Sequence, residues 1–220
     1  MPGASKQTRK VPRPTGPTIV VLGVGQMGLV CASMLMAASG KVDRPEIVIW
    51  GRNTDETGEL AQTRKSDRLP GFVLPEGVRV SIRDEELSKA DLIVSAIPVQ
   101  FIREAWERLR PHVPRETRVG LVSVAKGIEN ETLMRPSQIL ADVLGDDPDG
   151  SPRPIGVLTG PTIAAELARC LPATMIAASD DPAFTEQIQR MFSSSWLRVY
   201  TNNDMLGAEI AGAVKNVIAI

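Results

Sequence analysis

The stretch V-L-G-V-G-Q-M-G, residues 21 to 28, constrains what this chain can fold into more than any other. Residues 18 to 22 are a short apolar, β-branched run that reads as a buried strand. Gly23, Gly25 and Gly28 follow, and residues 27 to 38 then read as a helix ended by Gly40. A G-x-G-x-x-G between a strand and a helix is the setting that the dinucleotide fingerprint requires. The first glycine allows a tight turn, the second lets backbone approach a pyrophosphate, and the third lets helix and strand pack closely. The helix N-terminus offers free N–H groups and a positive dipole end to the phosphates. Without a ligand, the same glycines would make only a tight strand-to-helix turn.

The rest of the chain continues the alternation. Further strands are expected at 46–50, 77–81, 91–97, 118–124, 155–160, 173–179 and 196–200. Helices are expected at D-E-E-L-S-K-A with Asp84 as N-cap, along F-I-R-E-A-W-E-R-L-R-P-H-V, and along P-A-F-T-E-Q-I-Q-R-M-F. Strands alternating with helices imply an α/β fold, Rossmann-like and doubly wound around a largely parallel sheet. A last helix opens near Asp204, and the change of pattern there reads as the start of an all-helical second domain. The expected division is a disordered basic tail over 1–16, a dinucleotide-binding domain over 17–203, and the first helix of a truncated substrate domain over 204–220.

Composition removes several function classes. With 43% hydrophobic residues the chain can build a core, and a net charge of −1 argues against nucleic-acid binding through bulk charge. No run approaches the roughly 18 apolar residues of a membrane span, so membrane insertion is not expected. Cys31 and Cys170 form no CxxC pair, so no metal site is expected, and reduced thiols in the cytoplasm are the default reading. His112, between prolines and arginines, reads as part of a solvated loop without a catalytic role.

The second strand bears on the choice of nicotinamide cofactor. An NAD site usually places a carboxylate near its tip, on the ribose hydroxyl. Here the tip reads Trp50-Gly51-Arg52-Asn53, and Arg52 could pair with a 2′-phosphate. The residues favour NADP, hence NADPH, over NAD. The bland alternative is that Arg52 is a solvated surface charge.

Two lysines stand out. On a helix over 204–220, Ala208, Ala211, Gly212, Lys215 and Ala219 share one face, while Ile210, Val214, Val217 and Ile218 form a bulky face expected to pack a core. Lys215 on a stripe of small residues is either a snorkelling rim lysine or an ammonium in a pocket that can act as a general acid. Lys126, in S-V-A-K-G-I-E, follows a strand at the end where open α/β sheets bind ligands, and could hold an anionic group. Its bland alternative is an ordinary loop lysine.

The segments G-R-N, R-L-P-G-F-V-L-P, A-D-L-I-V-S-A-I-P-V-Q-F-I-R, L-V-S-V-A-K-G-I-E-N-E-T-L, L-T-G-P-T-I-A-A-E-L-A and G-A-E-I-A-G-A-V-K-N-V-I-A-I occur in this order. Together they resemble the bacterial-type NAD(P)-dependent glycerol-3-phosphate dehydrogenases, from residue 18 to 220. The resemblance implies reversible reduction of dihydroxyacetone phosphate to sn-glycerol 3-phosphate, a precursor of phospholipid synthesis. It implies Lys215 as catalytic acid/base and substrate contact, and Lys126 as a contact of both cofactor and substrate. Gly160 and Thr162 are implied on the substrate side. Gln26, Met27, Arg52 and Ala164 join Gly23, Gly25 and Gly28 on the cofactor side. Gln26-Met27 replaces a serine and an aromatic, T-I-A at 162–164 replaces S-F-A, and Lys65 and Arg68 stand where an amide and a tyrosine are usual.

The family's second domain continues for about 100 residues more, a domain-sized piece. Its aspartate and serine–arginine–asparagine cluster have no counterpart here. The closing V-I-A-I lacks a Gly or Asn stop signal, so the chain is expected to be part of a longer protein. Two other readings stay open: an NADP(H)-binding module without turnover, and a β-hydroxyacid dehydrogenase. The first loop suits the latter, but Ala219 stands where its asparagine belongs. A homodimer through the apolar last helix also stays open.

Overall fold

The computed structural model describes residues 16–38, 45–115, 119–145 and 153–218. The expectations placed on the basic tail, Gly40, Arg118, Ala219 and most of the 145–154 loop lie outside the described residues. Among the described residues eight strands form one sheet: β1 (Thr18–Leu22), β2 (Glu46–Trp50), β3 (Val78–Ser81), β4 (Leu92–Ser95), β5 (Gly120–Ser123), β6 (Ile155–Thr159), β7 (Ala173–Ser179) and β8 (Leu197–Asn202). Their order is β3-β2-β1-β4-β5-β6-β7-β8. Every pairing is parallel except β6 with β7, which is antiparallel. The largely parallel, doubly wound sheet expected from the alternation is the one observed.

Among the described residues seven α-helices accompany it: α1 (Gln26–Ala38), α2 (Thr54–Thr63), α3 (Ile102–Leu109), α4 (Pro136–Leu144), α5 (Ala164–Ala168), α6 (Pro182–Phe192) and α7 (Met205–Ile218). Alternate residues of β1 serve opposite faces, as a two-residue period requires. Ile19 and Val21 join a core with Leu29, Met34, Ile188 and Phe192. Val20 and Leu22 join one with Trp106, Ile139 and Leu140. The buried indole of Trp106 donates to Ser95 Oγ at 3.1 Å, so its polar atom is satisfied. Packing outweighs capping in these helices. The Asp181 cap of α6, which accepts from Ala183 N and Phe184 N, contributes about 1 kcal/mol. Each of the buried Phe184, Ile188 and Phe192 contributes about 1.5–3 kcal/mol.

Several local expectations are corrected. Asp84 does not cap the helix that follows β3: that element is a 3-10 helix over Asp84–Lys89 with Arg83 at its N-cap. The Asp84 carboxylate instead accepts from Trp50 Nε1 at 3.1 Å and Arg108 at 2.9 Å. The single helix expected from Phe101 to Val113 is three pieces, 3-10 turns at Val99–Phe101 and Arg110–His112 flanking α3. Pro111 lacks the N–H to continue an α-helix, and His112 closes the second turn rather than lying in an open loop. Helices α2, α4 and α5 were not expected. For α2 the signal was present: Asn53 Oδ1 accepts from Glu56 N at 2.9 Å, an Asn cap three residues before a Glu.

One ion pair sets an acid limit. Glu86, 8% exposed, accepts from Arg79 at 2.8 Å and from Ser81 Oγ at 3.0 Å. Arg79 holds its carboxyl below the usual value of 4.5, with burial working against it. A depressed folded value means the pair's contribution is fully present above about pH 4.5 and lost as pH falls through the lower folded value. Glu86→Gln is therefore expected to flatten this acid limb when stability is followed by denaturant titration between pH 3 and 6; a limb as steep as in the wild type would count against the pair.

Candidate active site

β1 pairs with both β2 and β4, so the chain reverses direction of winding there and leaves a crevice at the carboxyl ends of the strands. The glycine loop fills that position. Gly23 has φ +110°, a conformation that L side chains rarely adopt, and its N–H donates to Trp50 O at 2.8 Å. A Cβ on Gly28 would lie 1.8 Å from Gly23 O, so the third glycine is what lets α1 close on the loop. A Cβ on Gly25 would meet nothing within 4 Å, because this position faces open space. The first turn of α1 carries no acidic residue, leaving its positive end free to face an anion.

A cleft of about 970 Å³ opens over this loop. It is lined by Gly23, Gly25, Gln26 and Met27 on one side and by Arg52, Lys126, Thr162 and Ala164 on others. Gly28 does not line it and acts only through packing. The Gln26 amide donates to Arg68 O at 2.7 Å, tying the loop to the segment after α2. Arg68 and Glu56 also line the cleft and form an ion pair with each other. Arg52 is exposed on the rim, its guanidinium 2.9 Å from Glu104. Phe101, 57% exposed, adds an apolar ring. The residues fit a dinucleotide: a backbone approach at Gly25, a helix N-terminus without acids, and cations at the rim.

The two lysines meet at one loop. Lys126 leaves the end of β5, where Val124 N donates to Ser95 O at 3.0 Å and fixes the exit. Its ammonium donates to Gly160 O at 2.9 Å. The Lys215 ammonium donates to Thr162 O, also at 2.9 Å. Gly160 and Lys215 do not line the cleft, but these bonds connect them to Lys126 and Thr162, which do. Burial pushes the Lys126 pKa down, and the Lys215 charge pushes it further the same way. Two cations that repel each other across one loop form a place for an anion. Thr159 and Thr162 are each 7% exposed, and their hydroxyls find no partner within the described residues. Buried orphan hydroxyls cost about 1–3 kcal/mol each, so polar groups of a ligand suit this spot.

The last helix sits differently from expectation. Ile210 (38% exposed) and Val214 (39% exposed) face outward, so these two residues of the bulky stripe pack no core within the described residues, while the Val217 and Ile218 side chains lie outside them. The small face goes inward: Ala208 is buried with Val157 and Ala178, and a Cβ on Gly212 would lie 2.8 Å from Thr159 Oγ1. Glu209, passed over in the sequence, is buried against α4. Cys31 is buried in α1 with its thiol pushed up to about 12 by burial, so it is inert. No described helix is long and apolar enough to cross a membrane.

Residues 18–185 match the sequence model described as NAD-dependent glycerol-3-phosphate dehydrogenase N-terminus. The chain belongs to the NAD-dependent glycerol-3-phosphate dehydrogenase family. Among relatives of this family, glycerol-3-phosphate dehydrogenase [NAD(P)+] 2 of Mycobacterium bovis is 37% identical over 92% of this chain and 58% of its own length. Glycerol-3-phosphate dehydrogenase [NAD(P)+] 1 of Salinibacter ruber is 38% identical over 92% of this chain and 57% of its own. The crystal structure of glycerol-3-phosphate dehydrogenase from Coxiella burnetii superposes with a TM-score of 0.79 at 25% identity, covering 92% of this chain and 59% of that one. The chain thus spans under three-fifths of the length of these family members.

Proposed function

We propose that this glycerol-3-phosphate dehydrogenase family chain binds NAD(P)H in the glycine-loop cleft and serves reversible reduction of dihydroxyacetone phosphate to sn-glycerol 3-phosphate, feeding phospholipid synthesis. The observation that carries this reading is the convergence of Lys126 and Lys215 on the 160–162 loop beside that cleft. Gly23, Gly25, Gln26, Met27 and Ala164 would hold the dinucleotide, and Lys126 would reach both ligands. When bound, the reduced nicotinamide supplies the hydride. Lys126 balances the negative charge of the phosphorylated substrate. Lys215 holds a proton at Nζ and passes it to the carbonyl oxygen as that oxygen gains charge. Gly160 and Thr162 orient the two ammonium groups through their carbonyls.

The decisive assay is oxidation of NADPH on adding dihydroxyacetone phosphate. Turnover supports the enzyme reading; dinucleotide binding without turnover by the complete protein would favour a binding module. In the reverse direction, oxidation of 3-hydroxyisobutyrate in place of glycerol 3-phosphate would favour a β-hydroxyacid dehydrogenase. Arg52 supports NADP as the preferred cofactor. Its exposed pair with Glu104 is worth only about 0–1 kcal/mol, so a 2′-phosphate can displace it. Arg52→Ala is expected to weaken NADPH binding by about tenfold or more and to leave NADH within about twofold, read by titration calorimetry. Equal losses for both would remove the NADP preference. The unpaired thiols of Cys31 and Cys170 support a cytoplasmic location. The exposed Leu206, Ile210 and Val214 of α7 support an apolar contact there, in a homodimer or with another segment. Residues 17–203 would form the dinucleotide-binding unit, and α7 would open the substrate-binding one.

A further inference from the structure

Helix α7 delivers Lys215 to the 160–162 loop, yet its inward face does little to hold it in place. Beyond Met205, which packs in the first turn against the cluster of Val157, Ala178 and Ala208, that face is Ala208 and Gly212, and small side chains offer no knob to fix the helix nearer Lys215. Ile210 and Val214 are exposed and add no grip. The directional anchor is Glu209, whose side chain is 3% exposed. Ser137 donates to it twice, from its backbone N to Oε1 at 2.8 Å and from its Oγ to Oε2 at 2.6 Å. Arg135 adds an ion pair to the same Oε2. Pro136 and Ser137 open α4, so the carboxylate sits on the positive end of that helix. A buried ion pair adds little stability over an apolar pair of the same shape, but it does demand one geometry. Here the geometry it demands is the seating of α7.

We propose that Glu209 is a positioning residue: its clamp on Arg135 and Ser137 sets the rotation and register of α7, and so the place of the Lys215 ammonium. The proposal rests on the reading of Lys215 as proton donor. Six residues separate the two (215 − 209), about 9 Å along the helix axis. A pivot at the clamp therefore carries the ammonium through a sizeable arc. A displacement of about 1 Å at a reacting group can cost about 10²-fold in rate.

The test compares wild type, Glu209→Ala and Glu209→Gln in two measurements. The first is kcat and KM for dihydroxyacetone phosphate per folded molecule, with NADPH affinity alongside. The second is the rate at which acetic anhydride labels Lys215, read by peptide mass spectrometry against the exposed Lys65 and Lys89 as internal standards. Glu209→Ala is expected to lower kcat by about 30- to 100-fold while NADPH affinity stays within about twofold. Lys215 labelling should rise by about fivefold as its bond to Thr162 O is lost. Glu209→Gln keeps an acceptor for Ser137 but loses the charge facing Arg135, so about a tenfold loss of kcat is expected. If Glu209→Ala does not fold, Glu209→Gln carries the test. A lower melting temperature with kcat per folded molecule within about threefold of wild type and unchanged labelling would make Glu209 a structural residue only, and overturn the proposal. If wild type turns over no dihydroxyacetone phosphate, the functional reading fails, and the labelling alone decides whether Glu209 places Lys215.

Discussion

Lys215→Ala is expected to lower kcat for dihydroxyacetone phosphate by about 10²–10⁴-fold, the range that a positioned general acid contributes. NADPH affinity should hardly change, because Lys215 does not line the dinucleotide cleft. The fold should survive as well, since the residue is only partly buried and its hydrogen bond is a single one to the Thr162 carbonyl. Lys215→Arg separates charge from proton supply. It keeps a cation beside Lys126, but a guanidinium does not release its proton under working conditions. Its kcat should therefore stay low, with KM closer to wild type than in Lys215→Ala. Near-normal kcat in either variant, measured as NADPH oxidation under saturating substrate, would remove Lys215 from the chemistry.

Gly28→Ala is expected to be the most damaging alanine substitution among the described glycines. The added carbon would lie 1.8 Å from Gly23 O and 2.9 Å from Gly23 C, both backbone atoms that no rotamer change can move away. Helix α1 must retreat, and overpacking of this kind costs about 1–3 kcal/mol and sometimes more. The retreat also carries the helix N-terminus away from the phosphates, so NADPH affinity should fall by about 100-fold or more. Gly25→Ala is the informative control. Its methyl group enters open space, so thermal stability should hold while affinity falls, because the carbon occupies the approach to the pyrophosphate. Unchanged affinity in Gly25→Ala would place the dinucleotide elsewhere.

The sequence made the sheet and the glycine loop legible because both rest on short-range signals. Apolar, β-branched runs marked β1, β2 and β4, and the glycines between β1 and α1 needed only their immediate neighbours to be interpreted. The failures share a different cause. Asp84 looked like a cap because its competing partners, Trp50 and Arg108, lie 34 and 24 residues away. The bulky stripe of α7 reads as a core face in the sequence because a helical wheel does not say which stripe meets the sheet. Thr159 lies close behind Gly212, so only a small face can approach. Lys126 and Lys215 each drew notice, but 89 residues (215 − 126) separate them, and their shared loop emerged only from the fold. Glu209 was missed because its partners sit on α4, a helix that the sequence pattern did not reveal.

β1 is an interior strand, third in the order of the sheet, so its partners must arrive from both sides during folding. β1 leaves the ribosome before β4, with which it pairs on one side: Leu92 of β4 is 73 residues downstream of its partner Ile19 (92 − 19). Parallel partners cannot zip from a tight hairpin, so long loops must close before these contacts form. Such high-contact-order topologies fold slowly. Until β4 docks, one edge of β1 leaves its backbone N–H and C=O groups unpaired, and Gly23 lacks the Ala96 wall that shapes the cleft. The nucleotide pocket is therefore a late product of folding, and the nascent chain is most open to aggregation in the interval before it forms.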